Sequence, residues 1–163
     1  MIKYYGIPHL SIERGHQNMA INFYKINDEY GCFSNFAPYS FELDGKRWST
    51  SEHYFQAQKF HGTDYEEKIR VLDNPMEAAK MGRDRSLPLR DDWEHVKDDI
   101  MRNAVYAKFS QNSELKSILL KTGSEYIVEN TSNDYYWGCG TNGTGKNMLG
   151  KILMEVREKL AST

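Results

Sequence analysis

The chain reads as a helix-dominated α+β protein with a few short strands or a small sheet. Three observations predict this. Roughly five or six helical patterns are present, and most follow one another without strands between, unlike an alternating βαβ order. The length, 163 residues, suits one domain over 1–163 and is too short for two ordinary ones. No internal repeat or low-complexity linker divides the chain.

Residues 1–19 lack periodicity and read as a loose N-terminal segment. Ala20 to Tyr24 reads as a strand. Gly31 to Ser40 is turn-rich and aromatic, and Pro38 bars a regular element there. A hairpin follows: Phe41 to Leu43, an Asp44-Gly45 turn, and a returning arm through Trp48. Ser49 with Glu52 three residues on forms a capping-box pattern, and the helix continues through HYFQAQKF. Asn74 and Pro75 supply a cap and an N1 proline for the helix MEAAKM, which Gly82 ends. Asp91 to Phe109 carries Trp93, Val96, Ile100, Ala104 and Ala107 near helical spacing. Ser113 caps the helix ELKSILLK, stopped by Gly123. Tyr126 to Asn130 reads as a strand. The last helix runs from about Asn147 to Leu160, with Leu149, Ile152, Leu153, Val156 and Leu160 on one face.

Composition narrows the partners. Twenty-one basic against 23 acidic residues give a net charge of −2. That near-balance argues against a protein held on nucleic acid chiefly through phosphates. No apolar run is long enough to cross a bilayer, and the first residues, MIKYYGIPHL, have no signal-peptide core. Cys32 and Cys139 have no metal-ligand spacing, so free thiols in a cytoplasmic protein are expected. The five histidines include no i,i+4 pair and no CxxC or GxSxG occurs, so no metal site is expected. The excess lies in aromatics: 11 Tyr, 7 Phe and 3 Trp. Some must be core, and any exposed remainder suits stacking on a flat ring.

GTNGTGKN, Gly140 to Asn147, is one residue short of a phosphate-binding P-loop. Asn147 stands where a Mg²⁺-binding hydroxyl is needed, no strand leads directly into the loop, and too little chain follows for a crossover. The GxGxxG match from Gly138 to Gly143 lacks a following acidic strand position. The segment therefore reads as a loop capping the last helix. Gly143, Gly145 and the first helical amides remain available to an anion, with Lys146 adding charge.

The polar cluster TSEHYFQAQKF is more informative. On a helix, Glu52, Gln56 and Lys59 share one stripe, whereas Phe55 and Gln58 point elsewhere. Such a face either holds a polar substrate or is merely a solvated surface with Glu52 as a capping residue. Two aromatic-polar stretches favour the substrate, one before this helix and one from Glu129 to Gly140. Asn35, near Phe33 and Phe36, is suited to reading a base edge. Trp48 or Trp137 is suited to stacking, with at least one of them expected in the core.

FSNFAPYSFELDGKRWSTSEHYFQAQKF, AAKMGRDRS and NDYYWGCGTNGTGKNMLGKILMEVRE together resemble the NADAR superfamily, named for its association with NAD and ADP-ribose metabolism. The resemblance covers about residues 20–160. It is nearest the bacterial branch of N-glycosidases acting on riboflavin-biosynthesis intermediates. It implies hydrolysis of a ribose C1–N bond in phosphoribosylamino-pyrimidines, releasing ribose 5-phosphate. It places the family's glutamate on Glu52 and its helix lysine on Lys59. The tryptophan-glycine element falls on Trp137, Gly138 and Gly140, with Asp134 before it and Asn147 after it. The glycine-arginine pair falls on Gly82 and Arg83.

The chemistry fits these residue types. Departure of the nitrogen builds positive charge at C1, which a carboxylate stabilises while it orients or deprotonates water. Glu52 is assigned that role, and Gln56 a substrate contact. Asp134 or Glu129 protonates the leaving nitrogen or holds a ribose hydroxyl. Lys59 acts either as an ammonium pinning phosphate or as an amine forming an imine. Arg83, Arg85 and Lys146 are phosphate candidates, and the loop from Gly143 to Asn147 lines the site. No metal or redox cofactor is required. Two rivals keep the same pocket. One hydrolyses ADP-ribosylated guanine, in nucleic acid or in a nucleotide. The other only binds ADP-ribose and does not need Glu52. Small ribosyl-phosphate or ADP-ribosyl molecules are the expected partners; nucleic acid is less favoured, and no membrane is expected.

Overall fold

The computed structural model describes residues 20–163, so the segment 1–19 read above as loose lies outside the described residues. Strand β1 (Ile21–Phe23) leads through an aromatic loop with one 3-10 turn (Gly31–Phe33) to the hairpin of β2 (Phe41–Leu43) and β3 (Lys46–Trp48). Four helices follow, α1 (Ser51–Gln58), α2 (Asp64–Arg70), α3 (Pro75–Gly82) and α4 (Trp93–Gln111), and then α5 (Ser113–Lys121). Strand β4 (Ile127–Glu129) and helix α6 (Met148–Ala161) complete the order, a helix-dominated α+β arrangement. Among the described residues no helix is long and apolar enough to cross a membrane.

Local chemistry accounts for most of these elements. Asp44 and Gly45 both take positive φ, 55° and 75°, as a two-residue hairpin loop of twist-matched type requires. The hairpin pairs Phe41 with Trp48 and Leu43 with Lys46. Asn74 accepts from the Glu77 amide at 2.9 Å, and Pro75 occupies the first turn of α3, where its missing N–H costs nothing. Helix α2 carries no sequence expectation. Its seven residues bury only Ile69, so no apolar period announces it, and Thr63 caps it.

Two caps lie one residue from the expected ones. Thr50, not Ser49, caps α1, its side chain accepting from the His53 amide at 3.1 Å. The His53 ring closes the same cap, with Nδ1 2.7 Å from Thr50 Oγ1 and Nε2 2.9 Å from the Leu72 carbonyl oxygen. Glu52 is therefore free of capping duty. Asn112, not Ser113, precedes α5, and its side-chain amide donates to the Lys108 and Ser40 carbonyls.

The core brings distant segments together. Strands β1 and β4 pair in parallel, with Phe23 opposite Glu129. Helix α1 packs against α2, α3 and α4, and all eight of its residues are buried although most are polar. Burying amides, hydroxyls and a carboxylate costs free energy unless each finds a partner. A polar helix at the centre of a fold is thus a mark of function rather than of packing.

Two sequence expectations are corrected here. Trp48 does not stack on a substrate: it is 0% exposed, meets Tyr54 edge-on at 5.0 Å, and donates from Nε1 to the Leu43 carbonyl oxygen at 3.0 Å. Asn147 is also turned inward. Its Oδ1 accepts from the Glu129 amide at 3.0 Å and its Nδ2 donates to the Ile127 carbonyl at 2.8 Å, clamping β4 to the start of α6. It holds the left-handed conformation, φ 52°, which asparagine tolerates better than most residues. Asn147→Ala orphans a buried acceptor and the Glu129 amide. The expected loss is roughly 2–4 kcal/mol, or a fall in Tm of roughly 5–15 °C, measured by thermal denaturation.

Candidate active site

A small cavity of about 190 Å³ opens beside α1, walled by Asn35, Phe36, Glu52, Phe55, Gln56, Lys59, Arg83, Met101, Glu129, Asp134 and Trp137. Eight of the residues singled out in the sequence meet there: Glu52, Lys59, Asp134, Glu129, Asn35, Gln56, Arg83 and Trp137. They come from the aromatic loop, α1, the C-cap of α3, β4, and the segment between β4 and α6.

Glu52 is 6% exposed and Gln56 4%, so the stripe on α1 is not a solvated face. Gln56 Nε2 donates to Glu52 Oε1 at 2.7 Å, one helical turn away. Burial raises the Glu52 pKa above the usual carboxylate range, while Gln56, Arg83 and Lys59 draw it back and Asp134 pushes it further. The first turn of α1 is tied to the aromatic loop. The Glu52 amide donates to the Asn35 carbonyl at 3.1 Å, and Ser51 Oγ donates to Asn35 Oδ1 at 2.9 Å. Asn35 Nδ2 has only the weakly accepting sulfur of Met101 at 3.5 Å.

Gly82 sets the distance between α1 and α3. A Cβ there would stand 1.9 Å from Gln56 Oε1, inside any tolerable contact. Gly82→Ala is expected to displace Gln56 and release Glu52 from its fixed position. Turnover should then drop by roughly tenfold to a hundredfold, as for other small misplacements of reacting groups. Steady-state kinetics beside a thermal melt would separate this from unfolding.

Glu129 differs in its surroundings. It closes β4, opposite Phe23 of β1, and lines the cavity. Its Oε2 is buried without a hydrogen-bond partner. Burial, with Asp134 and Glu52 adding repulsion, pushes its pKa up to about 8. The cavity thus holds one carboxyl flanked by cations and an amide donor, and another flanked only by acids. Burial raises both carboxyls, but only Glu52 has cations and an amide donor beside it to oppose the rise. Asp134 Oδ1 is occupied, accepting from the amides of Tyr136 at 3.0 Å and Trp137 at 2.8 Å.

Lys59 lies at the C-cap of α1. Its Nζ donates to the Gly82 carbonyl at 3.1 Å and stands 5.7 Å from the Phe55 ring centroid and 5.6 Å from that of Trp93. Burial lowers its pKa, the Glu52 charge opposes this, and Arg83 and Lys97 add to the lowering. Trp137 packs edge-on against Phe55 at 5.2 Å and Tyr136 at 4.9 Å, forming an aromatic wall.

The glycine loop does not line this cavity. The amides of Gly143, Gly145, Lys146 and Asn147 donate to carbonyls at positions 140, 139, 135 and 138. Those of Met148 and Leu149 donate to the carbonyls of Tyr136 and Trp137, so these amides at the start of α6 are already paired. Lys146 Nζ stands 5.2 Å over the Tyr136 ring, away from the cavity walls. Gly138 is a packing position, since a Cβ there would meet Thr131 Oγ1 at 2.3 Å. Arg85 lines a neighbouring cavity instead. Sequence reasoning set Phe55 aside and passed over Met101, yet both are cavity walls. Facing residues on a helix buried on all sides cannot be found from a single polar stripe.

Comparison with known proteins gives relatives of this chain. The NADAR domain model matches residues 22–161. The chain is 57% identical over 145 residues to the N-glycosidase YbiA of Escherichia coli, covering 89% of this chain and 91% of that protein. An N-glycosidase of Nostoc punctiforme is 48% identical, covering 87% and 93% of the two chains. The maize chloroplastic riboflavin biosynthesis protein PYRR is 39% identical, covering 88% of this chain but 25% of that one. The NMR structure of E. coli YbiA superposes with a TM-score of 0.84 at 55% identity, covering 93% of this chain and 90% of the other.

Proposed function

The chain belongs to the NADAR family, and from that premise we propose that it is an N-glycosidase hydrolysing the ribose C1–N bond of phosphoribosylamino-pyrimidine intermediates of riboflavin biosynthesis, with release of ribose 5-phosphate. The names of its relatives support the bond class, and the riboflavin relative supports the substrate class. The observation that carries the reading is the pair of carboxyls in one small cavity, Glu52 beside cations and Glu129 beside acids.

In this reading the C1–N bond breaks with its electron pair passing to nitrogen, and Glu129 delivers a proton there. Positive charge grows on C1 and the ring oxygen, opposite the Glu52 carboxylate. Water adds to C1 and loses its proton to Glu52, and solvent resets both groups. Gln56 holds Glu52 in place. Lys59 acts as a cation, keeping Glu52 ionised and bearing on the sugar phosphate with Arg83. Asp134 positions Trp137 through its two amide bonds and offers its other oxygen to a ribose hydroxyl. The burial of Glu52 at the cavity wall favours catalysis over simple ADP-ribose binding, because binding an anionic ligand gains nothing from a buried carboxylate.

The test is a product assay. The chain is incubated with a phosphoribosylamino-pyrimidine and, separately, with ADP-ribosylated guanine, and freed sugar phosphate is measured. Release of ribose 5-phosphate from the first substrate at the higher kcat/KM is expected. Preference for the second would move the chain to the de-ADP-ribosylating class. Tight binding of both without turnover would make it a binding module.

A further inference from the structure

The catalytic cavity is too small for a whole nucleotide. At about 190 Å³ it lies below the roughly 300 Å³ at which drug-sized ligand sites begin, and suits one furanose ring with water. Two larger cavities adjoin it, of about 570 and 610 Å³, and Arg83 lines all three. Lys59 is shared only with the first, and Glu129 and Asp134 only with the second.

These shared walls give the site a direction. The first large cavity carries Lys59, Arg83 and Arg85. Its two acids are already engaged, Asp84 by Ser86 and Glu94 by Lys97. That leaves an excess of cationic donors suited to a phosphate. The second carries Tyr24, Ile26, Phe36 and Met76, with the amides of Asn27 and Asn133, the hydroxyls of Ser34 and Thr131, and Lys25. Tyr24 is 52% exposed and Met76 64%, more than a side chain needed for packing would be. Apolar and aromatic surface with a few amide groups suits a flat, hydrogen-bonding heterocycle. On a ribofuranoside the base on C1 and the phosphate-bearing C5 on C4 leave from the two carbons that flank the ring oxygen, so they diverge to either side of the sugar.

We propose that the leaving base is seated in the cavity formed by Tyr24, Ile26, Phe36, Met76, Asn27 and Asn133, while the phosphate enters the Lys59–Arg83–Arg85 side. This rests on the N-glycosidase reading, and it makes Tyr24 and Met76 specificity determinants for the base. The arrangement puts the leaving nitrogen next to Glu129, where protonation is needed, and C5 next to Lys59.

Calorimetric titration with two separate probes, ribose 5-phosphate and a free aminopyrimidine, tests it without relying on turnover. The exposed positions make Tyr24→Ala/Met76→Ala a variant that keeps its fold. It is expected to weaken aminopyrimidine binding about tenfold and leave ribose 5-phosphate binding unchanged. Arg85→Ala should do the reverse. The proposal is overturned if both probes weaken together in either variant, if the pattern is inverted, or if the wild type binds no aminopyrimidine at millimolar concentration. Turnover of the wild type, measured alongside, reports on the glycosidase reading by itself.

Discussion

Glu52→Gln should reduce kcat by about 10³-fold or more while ribose 5-phosphate binding stays within about tenfold. The amide keeps the shape of the carboxyl and its contact with Gln56 in altered form, but it neither accepts the water's proton nor faces the C1 cation with negative charge. Positioned proton transfer alone contributes about 10²–10⁴-fold, and charge stabilisation adds to it. Single-turnover release of sugar phosphate, with calorimetry of product binding, gives both quantities. An unchanged kcat would remove Glu52 from the chemistry. A binding loss equal to the kcat loss would make it a binding group.

Glu129→Gln should cost about 10²-fold in kcat and change the shape of the pH profile. In the wild type, activity needs Glu52 ionised and Glu129 protonated. Activity should therefore fall at low pH as Glu52 takes up a proton, and fall again above about 8 as Glu129 loses one. The glutamine variant should lack the upper limb. A substrate whose leaving ring carries a quaternary nitrogen departs without a proton, so the variant should handle it with little penalty. Stability should move the other way. A carboxyl whose pKa rises on folding binds more protons in the folded state, so the wild type loses stability as pH climbs from the ordinary carboxylate range to about 8. Glu129→Gln removes that loss and should melt higher than the wild type at pH 9, with the gap closing toward pH 4. Retention of the upper limb in the variant would transfer the acid role elsewhere, with Asp134 the nearest group.

The sequence carried the site unevenly, for physical reasons. Glu52, Gln56 and Lys59 were legible because helical spacing alone sets them on one stripe, and the structure buries that stripe against the cavity. The Asp44-Gly45 hairpin and the Asn74-Pro75 start of α3 were legible because turn and cap chemistry is local. Trp48 was misplaced because an indole serves a core and a stacking surface equally well, and only the Leu43 carbonyl within reach of its Nε1 decides between them. The glycine loop was misread because free amides and amides already paired look alike in a sequence. The raised pKa of Glu129 was not legible at all. It depends on a parallel pairing between β1 and β4, far apart in the chain, and on two other acids brought in by α1 and by the segment after β4. Asn147 illustrates the same point, since its side chain is spent on the strand that carries Glu129 rather than on a ligand.

The most direct test of the central claim is a crystal structure with ribose 5-phosphate bound. The account predicts the furanose in the cavity beside α1, with C1 between the Glu52 and Glu129 carboxyls and a Glu52-bound water about 3–3.5 Å from C1. A sugar bound elsewhere, or with C1 turned away from Glu52, would contradict it.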